Sequence, residues 1–207
     1  MTKQRLYHWS AAFRIQHWLH LAAILTLVFT GFYIHSAFYP GTGESMAWNR
    51  WFHFVGAYVL VFAFIWRVYL MFNSYEGADW REILPLWRNV KHIPDIAAYY
   101  LFMKDTHRHY HRYNPLQALA YTCMGLCVIV MACTGFALRD GWLHGQFAWV
   151  NGLLGGLVYT RLVHFFGMWA LIVLSLIHLY FAIRQTIVDK DRALMSMVDG
   201  YCYREAE

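Results

Sequence analysis

Four histidines lie inside long apolar stretches of the chain: His17, His53, His164 and His178. An ionisable side chain in such surroundings is costly unless it has a partner, so each is a candidate ligand or proton carrier. His164 and His178 are fourteen residues apart. On a helix that spacing returns within about 40° of the same face and rises about 21 Å along the axis. One helix face therefore presents two imidazoles at two depths. His53 matches the depth of His164 and His17 that of His178, so the four form two opposed pairs, one near each membrane surface. Zinc needs three or four ligands converging at one depth. Two neutral imidazoles per layer, opposed across an apolar gap, suit haem iron instead, and the set reads as the axial ligands of two b haems.

Glycines and one arginine share those faces. Gly56 and Gly167 each follow a histidine by three residues, one turn along on the same face. Gly31 lies fourteen residues beyond His17, and Gly135 reaches a similar depth in its own stretch. A missing side chain at these four positions admits a flat macrocycle; close helix packing through small residues is the alternative. Arg67 lies fourteen residues beyond His53, which sets a guanidinium at the level of His17 and His178. Such a group calls for an anion, either a haem propionate or a quinone oxygen, and a lipid phosphate reached by snorkelling is the bland alternative. Arg14, Arg161 and Arg184 offer the same chemistry. His20, one turn from His17, is an alternative ligand, and His35 and His144 read as interfacial. The run His107, His109, His111 stands beside Arg108 and Arg112 and reads as a solvated basic patch rather than a metal site.

The elements that must hold these side chains follow from composition. The chain is 59% hydrophobic and only 14% charged, against about 25% charged in soluble domains. Four stretches, about 15–36, 52–73, 115–138 and 161–187, are long enough to cross a bilayer as helices. Neither the segment from Tyr58 to Trp66 nor that from Tyr121 to Cys133 has the polar face a soluble bundle needs. Loops are expected at 37–51, 74–114 and 139–160, with a charged interfacial helix over 93–104. The N-terminal apolar segment is too long for a signal peptide and is expected to be retained. Fourteen of the 17 Lys and Arg residues lie at the N-terminus, in the middle segment, in the tail or at Arg67, and three in the other two loops. Both termini are therefore expected in the cytoplasm, with 139–160 on the periplasmic side. Net charge +5 forms no continuous stripe, so lipid headgroups rather than nucleic acid are the partner. Cys123, Cys127, Cys133 and Cys202 have no metal-ligand spacing. The expected fold is an all-α membrane protein: one domain over 1–207, a four-transmembrane-helix bundle binding two haems, with a cytoplasmic interfacial helix.

Longer motifs carry a resemblance. RIQHWLH and FTGF within 14–32, RWFHFVGAYVLVFAFIWRVY (50–69), YNPLQA and TGFAL within 113–138, RLVHFFGMW (161–169), IHLYFAIR (177–184) and MVDGY (197–201) cover nearly the whole chain. With them the sequence resembles the b-type cytochrome subunit of membrane-bound [NiFe] uptake hydrogenases, the Ni/Fe-hydrogenase cytochrome b family. Phe165 departs from the basic or imidazole side chain of many relatives. The resemblance implies a multi-pass protein of the bacterial inner membrane, part of a respiratory chain. Its partners are then the iron–sulfur small subunit and the large subunit of a periplasmic [NiFe] hydrogenase. Electrons would enter at His53/His164, pass to His17/His178 and reach menaquinone or ubiquinone near the cytoplasmic surface. The chain would have no H2-activating centre of its own. The alternatives are the cytochrome b subunit of a formate dehydrogenase, a free-standing cytochrome b561-like quinone oxidoreductase, and a proton-relaying transporter or channel.

Overall fold

The computed structural model of the 207-residue chain describes residues 3–39, 41–73, 80–84, 90–104, 110, 113–139 and 142–205. In chain order the elements are β1 (Lys3–Tyr7), α1 (Ala11–His35), α2 (Gly43–Phe72), α3 (Trp80–Ile83), α4 (Ile93–Tyr100), α5 (Pro115–Leu138), α6 (Trp142–Leu154), α7 (Leu157–Arg184), α8 (Ala193–Asp199) and β2 (Tyr201–Glu205). A π-helical turn, Gln185–Asp189, continues α7. Among the described residues four helices are long and apolar enough to cross a bilayer: α1, α2, α5 and α7 with its extension. They coincide with the four expected spans. Phe62, Ile65 and Phe166 are each more than 60% exposed, which in an all-apolar helix marks a face turned to lipid rather than to water. This is an all-α, multi-pass membrane protein.

Two segments expected as loops are largely helical. α2 begins at Gly43, well before the apolar run; nothing from 43 to 51 breaks a helix, and Glu44 lies in the first turn, where the helix dipole favours a carboxylate. Asn49 donates to the Tyr39 hydroxyl at 2.7 Å, tying the preceding loop to the helix. Within 139–160, α6 forms despite Gly145 and Gly152: no proline interrupts it, and its closing carbonyls are taken up, that of Gly152 by the Gly155 amide at 3.3 Å and that of Asn151 by the Gly156 amide at 2.7 Å. Asn151 donates to the Ala137 carbonyl at 3.1 Å. Gly155 and Gly156 then stop the helix at φ +88° and +117°, a conformation glycine adopts without strain. α4 is shorter than the 93–104 expectation: it ends at Tyr100, and Phe102 turns to φ +60°.

The helices pack as two compact units. One comprises Trp18–Phe64 and Gly125–Val173. Its core takes one buried residue from each long helix, namely Ala23, Leu60, Val128 and Leu171. The other comprises Met1–His17, Ile65–Met124 and Leu174–Glu207. Trp9, Phe13 and Leu70 form one core cluster there, and Ile96, Tyr99, Tyr100, Ala120 and Phe181 another. Arg184 is buried in this second unit with its guanidinium 4.0 Å from the Tyr99 ring centre and 4.5 Å from that of Phe102. It donates to the Tyr99 carbonyl at 2.7 Å. Tyr99 in turn donates its hydroxyl to Asp189. Burial first, then that bond, pushes the Tyr99 phenol up to about 12.

A two-stranded antiparallel sheet, β1 with β2, joins the two ends of the chain, Tyr7 opposite Tyr201. The sequence reading did not anticipate it. The Gly200 carbonyl accepts the amides of His8 at 2.8 Å and Trp9 at 3.2 Å. Gly200 itself sits at φ +86°, and a Cβ there would meet the Trp9 carbonyl oxygen at 2.9 Å. Beside it Asp199 accepts the Tyr201 amide at 2.9 Å and pairs with Arg192 at 3.1 Å and Arg5 at 4.0 Å. The Tyr201 amide, followed by the two arginines, holds the Asp199 carboxyl below its ordinary value. A carboxyl lowered in the folded state stabilises fully above its unfolded pKa and loses that contribution as pH falls through the folded one. Thermal unfolding in detergent between pH 7 and pH 3 should therefore show an acid-side loss that is smaller in Asp199→Asn. Gly200→Ala is expected to cost at least about 1–2 kcal/mol at all pH values, because alanine must adopt a left-handed backbone against a carbonyl.

Candidate haem-binding sites

The unit built from Trp18–Phe64 and Gly125–Val173 carries His53 on α2 and His164 on α7. Each ring is fixed by a threonine on another helix. The Thr30 hydroxyl of α1 lies 2.9 Å from His53 Nδ1, and the Thr134 hydroxyl of α5 lies 2.8 Å from His164 Nδ1. Both threonines are buried, 4% and 2% exposed. The following glycines make room for the rings. A Cβ on Gly31 would stand 3.4 Å from His53 Cε1, and one on Gly135 would stand 3.2 Å from His164 Cε1. Gly56 and Gly167 face other side chains: a Cβ would meet Leu27 Cγ at 3.3 Å and Met131 Sδ at 2.7 Å respectively.

In the other unit His17 on α1 faces His178 on α7, ring centres 6.2 Å apart and planes inclined at 58°. Two imidazoles bonded to one metal atom at about 2 Å each have ring centres about 6 Å apart, so this spacing accommodates a shared iron. The edge of Tyr121 packs against His178 at 5.3 Å, while His178 Nδ1 is buried without a hydrogen bond. Arg67 lies over the Phe13 ring at 4.8 Å, and its Nη1 is buried with no hydrogen-bond partner. A guanidinium N–H left in that state calls for an anion. Two other arginines of this unit reach carbonyls, Arg14 that of Val198 and Arg184 that of Tyr99, although each keeps a buried Nε without a hydrogen bond.

The residues present fit a haem. Each unit carries two imidazoles on different helices, and among the described residues no group of three or more His, Cys, Asp or Glu could hold a metal ion by itself. At His53 and His164 the hydroxyl takes Nδ1, leaving Nε2 for coordination. His35 stacks near Phe165, ring centres 4.9 Å apart. His107, His109 and His111 lie outside the described residues.

Sequence reasoning missed the two threonines, although a signal for them was present. Thr-Gly-Phe occurs at 30–32 and again at 134–136, and Arg-x-x-His-Phe-x-Gly at 50–56 and again at 161–167. Pairing the two copies puts Thr30 with His53 and Thr134 with His164 in equivalent roles.

Four membrane-crossing helices that present two histidine pairs define a haem-carrying membrane protein of the b-cytochrome class. The chain belongs to the family described as prokaryotic cytochrome b561, which it matches over residues 8–200. It is 32% identical to the "Probable Ni/Fe-hydrogenase B-type cytochrome subunit" of Azotobacter vinelandii, covering 95% of this chain and 88% of that one. The protein of the same description from Rhizobium leguminosarum bv. viciae is 31% identical, over 97% and 90%. A third relative, the "Putative protein-methionine-sulfoxide reductase subunit YedZ1" of Azospira oryzae, is 30% identical over 91% and 93%.

The glycine contacts give a direct check. Leucine at Gly31 or Gly135 occupies the space of an imidazole edge, so Gly31→Leu and Gly135→Leu should each lower haem content per chain. The reduced alpha-band absorbance of the purified protein measures it, and wild-type absorbance in both variants would contradict the placement.

Proposed function

We propose that the chain holds two b haems, one between His53 and His164 and one between His17 and His178. Gly31, Gly56, Gly135 and Gly167 provide clearance along the helix faces, and Arg67 receives a propionate or a quinone oxygen. In this reading the protein is the membrane-anchoring electron-transfer subunit of a periplasmic [NiFe] hydrogenase. It passes electrons from the iron–sulfur small subunit through the two haems to the quinone pool. The observation that carries the reading is the pair of imidazoles in each unit, joined to full-length similarity with proteins described as hydrogenase cytochrome subunits.

A b haem held by two of these histidines would supply a one-electron couple. The protein's part is to hold the imidazoles neutral and correctly turned, to exclude water, and to offer Arg67 to an anion. The uneven distribution of Lys and Arg supports a bacterial inner-membrane location with both termini in the cytoplasm. The His53/His164 layer then faces the periplasmic donor, and the quinone reacts near the layer of His17, His178 and Arg67.

A second reading rests on the similarity to the sulfoxide reductase subunit of Azospira oryzae: the same electron path serves a different periplasmic or quinone partner. Deleting the gene separates the two. Loss of hydrogen-dependent quinone reduction in membranes supports the hydrogenase assignment; intact hydrogen oxidation with impaired methionine-sulfoxide reduction supports the other. Haem quantification on His17→Ala, His53→Ala, His164→Ala and His178→Ala tests the pairing. Each variant should lose about half the b-haem absorbance, and the two members of a pair should lose the same spectral component.

A further inference from the structure

A threonine hydroxyl has one proton and two lone pairs. The Thr30 oxygen lies 2.6 Å from the Thr26 carbonyl oxygen, and the Thr134 oxygen 2.7 Å from that of Val130. Two oxygens approach that closely only with a proton between them, so each hydroxyl donates to its own helix. What remains toward the histidine is a lone pair. Nδ1 of His53, at 2.9 Å, and Nδ1 of His164, at 2.8 Å, must then carry the proton and donate it.

Back-bonding of a threonine to the residue four before it is common in membrane helices and by itself implies nothing. Thr26, Thr122 and Thr160 do the same here, to Ala22, Ala118 and Gly156. Thr30 and Thr134 differ in that the second side of the oxygen meets an imidazole. The arrangement occurs twice, on separate helices, each time in a Thr-Gly pair whose glycine lies against the same ring.

We propose that Thr30 and Thr134 are positioning residues that fix the Nε2-unprotonated tautomer of His53 and His164 and, by accepting their Nδ1–H, lower the reduction potential of the haem between them. The inference rests on the haem reading above. A hydrogen bond from the far nitrogen makes an axial imidazole more electron-donating, and a stronger donor favours ferric over ferrous iron. Among the described residues no such hydroxyl meets His178, whose Nδ1 has no hydrogen bond. The pair therefore acts on one haem and leaves the other alone.

The test is a potentiometric titration of the purified protein and of Thr30→Val, Thr134→Val and the matching serine variants, with haem content and ferric electron paramagnetic resonance spectra recorded together. Valine keeps the shape and removes the acceptor; serine keeps the acceptor and removes the methyl. The expected result is an upward shift of the same single midpoint in both valine variants, larger in the double variant, with the other midpoint unchanged and wild-type values in serine. Haem loss in the valine variants that serine restores also supports the proposal. Full haem content with unmoved potentials in the valine variants overturns it, as does a shift or haem loss that persists in serine. An unaltered protein without b haem overturns the parent reading along with it. A threonine effect that fails while both haems are present overturns this inference alone.

Discussion

An imidazole inside a membrane span has two ring nitrogens and no water to satisfy them. In the unit that carries His53 and His164, threonines on two other helices meet that requirement at Nδ1. A helix that contributes an imidazole must therefore pack against one that contributes a hydroxyl, with a glycine beside it so that the ring can approach. α1 meets α2 this way at Thr30 and Gly31, and α5 meets α7 the same way at Thr134 and Gly135. The core of Ala23, Leu60, Val128 and Leu171 in the same unit is built of modest side chains from all four helices, which lets the backbones come near enough for these contacts.

The unit that carries His17 and His178 meets its polar demands with charge. Among its arginines, Arg14 is engaged by the Val198 carbonyl and Arg184 by that of Tyr99. Aromatic faces take up what the carbonyls do not: Phe13 lies under Arg67, and Tyr99 and Phe102 flank Arg184. Cation–π contact is favourable when water is scarce. It leaves the Arg67 Nη1 with nothing to donate to; the Nε groups of Arg14 and Arg184 are in the same state, but those two guanidiniums also reach a carbonyl.

The same unit closes on itself through the β1–β2 pair. Gly200 turns the chain where no other residue fits without strain, and its carbonyl and the Asp199 carboxylate together take up three backbone amides. The MVDGY motif thus has a mechanical role, fastening the C-terminal segment to the residues just before the helix that bears His17.

The sequence by itself determined the four spans and singled out the four histidines, with the expectation that they divide into two layers. Span length is set by bilayer thickness, and a fourteen-residue spacing on one helix fixes face and depth without any tertiary information. It also marked Arg67, because a charge within an apolar run stands out. Helix extents beyond the apolar runs were not legible: 43–51 and 142–154 carry polar and glycine residues, and their helices depend on contacts such as Asn49 with Tyr39 and Asn151 with Ala137. Only the tertiary structure decided which hydroxyl meets which imidazole, and that glycines 31 and 135 clear a ring while 56 and 167 clear Leu27 and Met131. Those pairings join residues more than twenty positions apart on different helices. Composition and periodicity report one helix at a time, so they carry no information about the rotation of one helix against another, and that rotation places Thr30 and Thr134 against the rings.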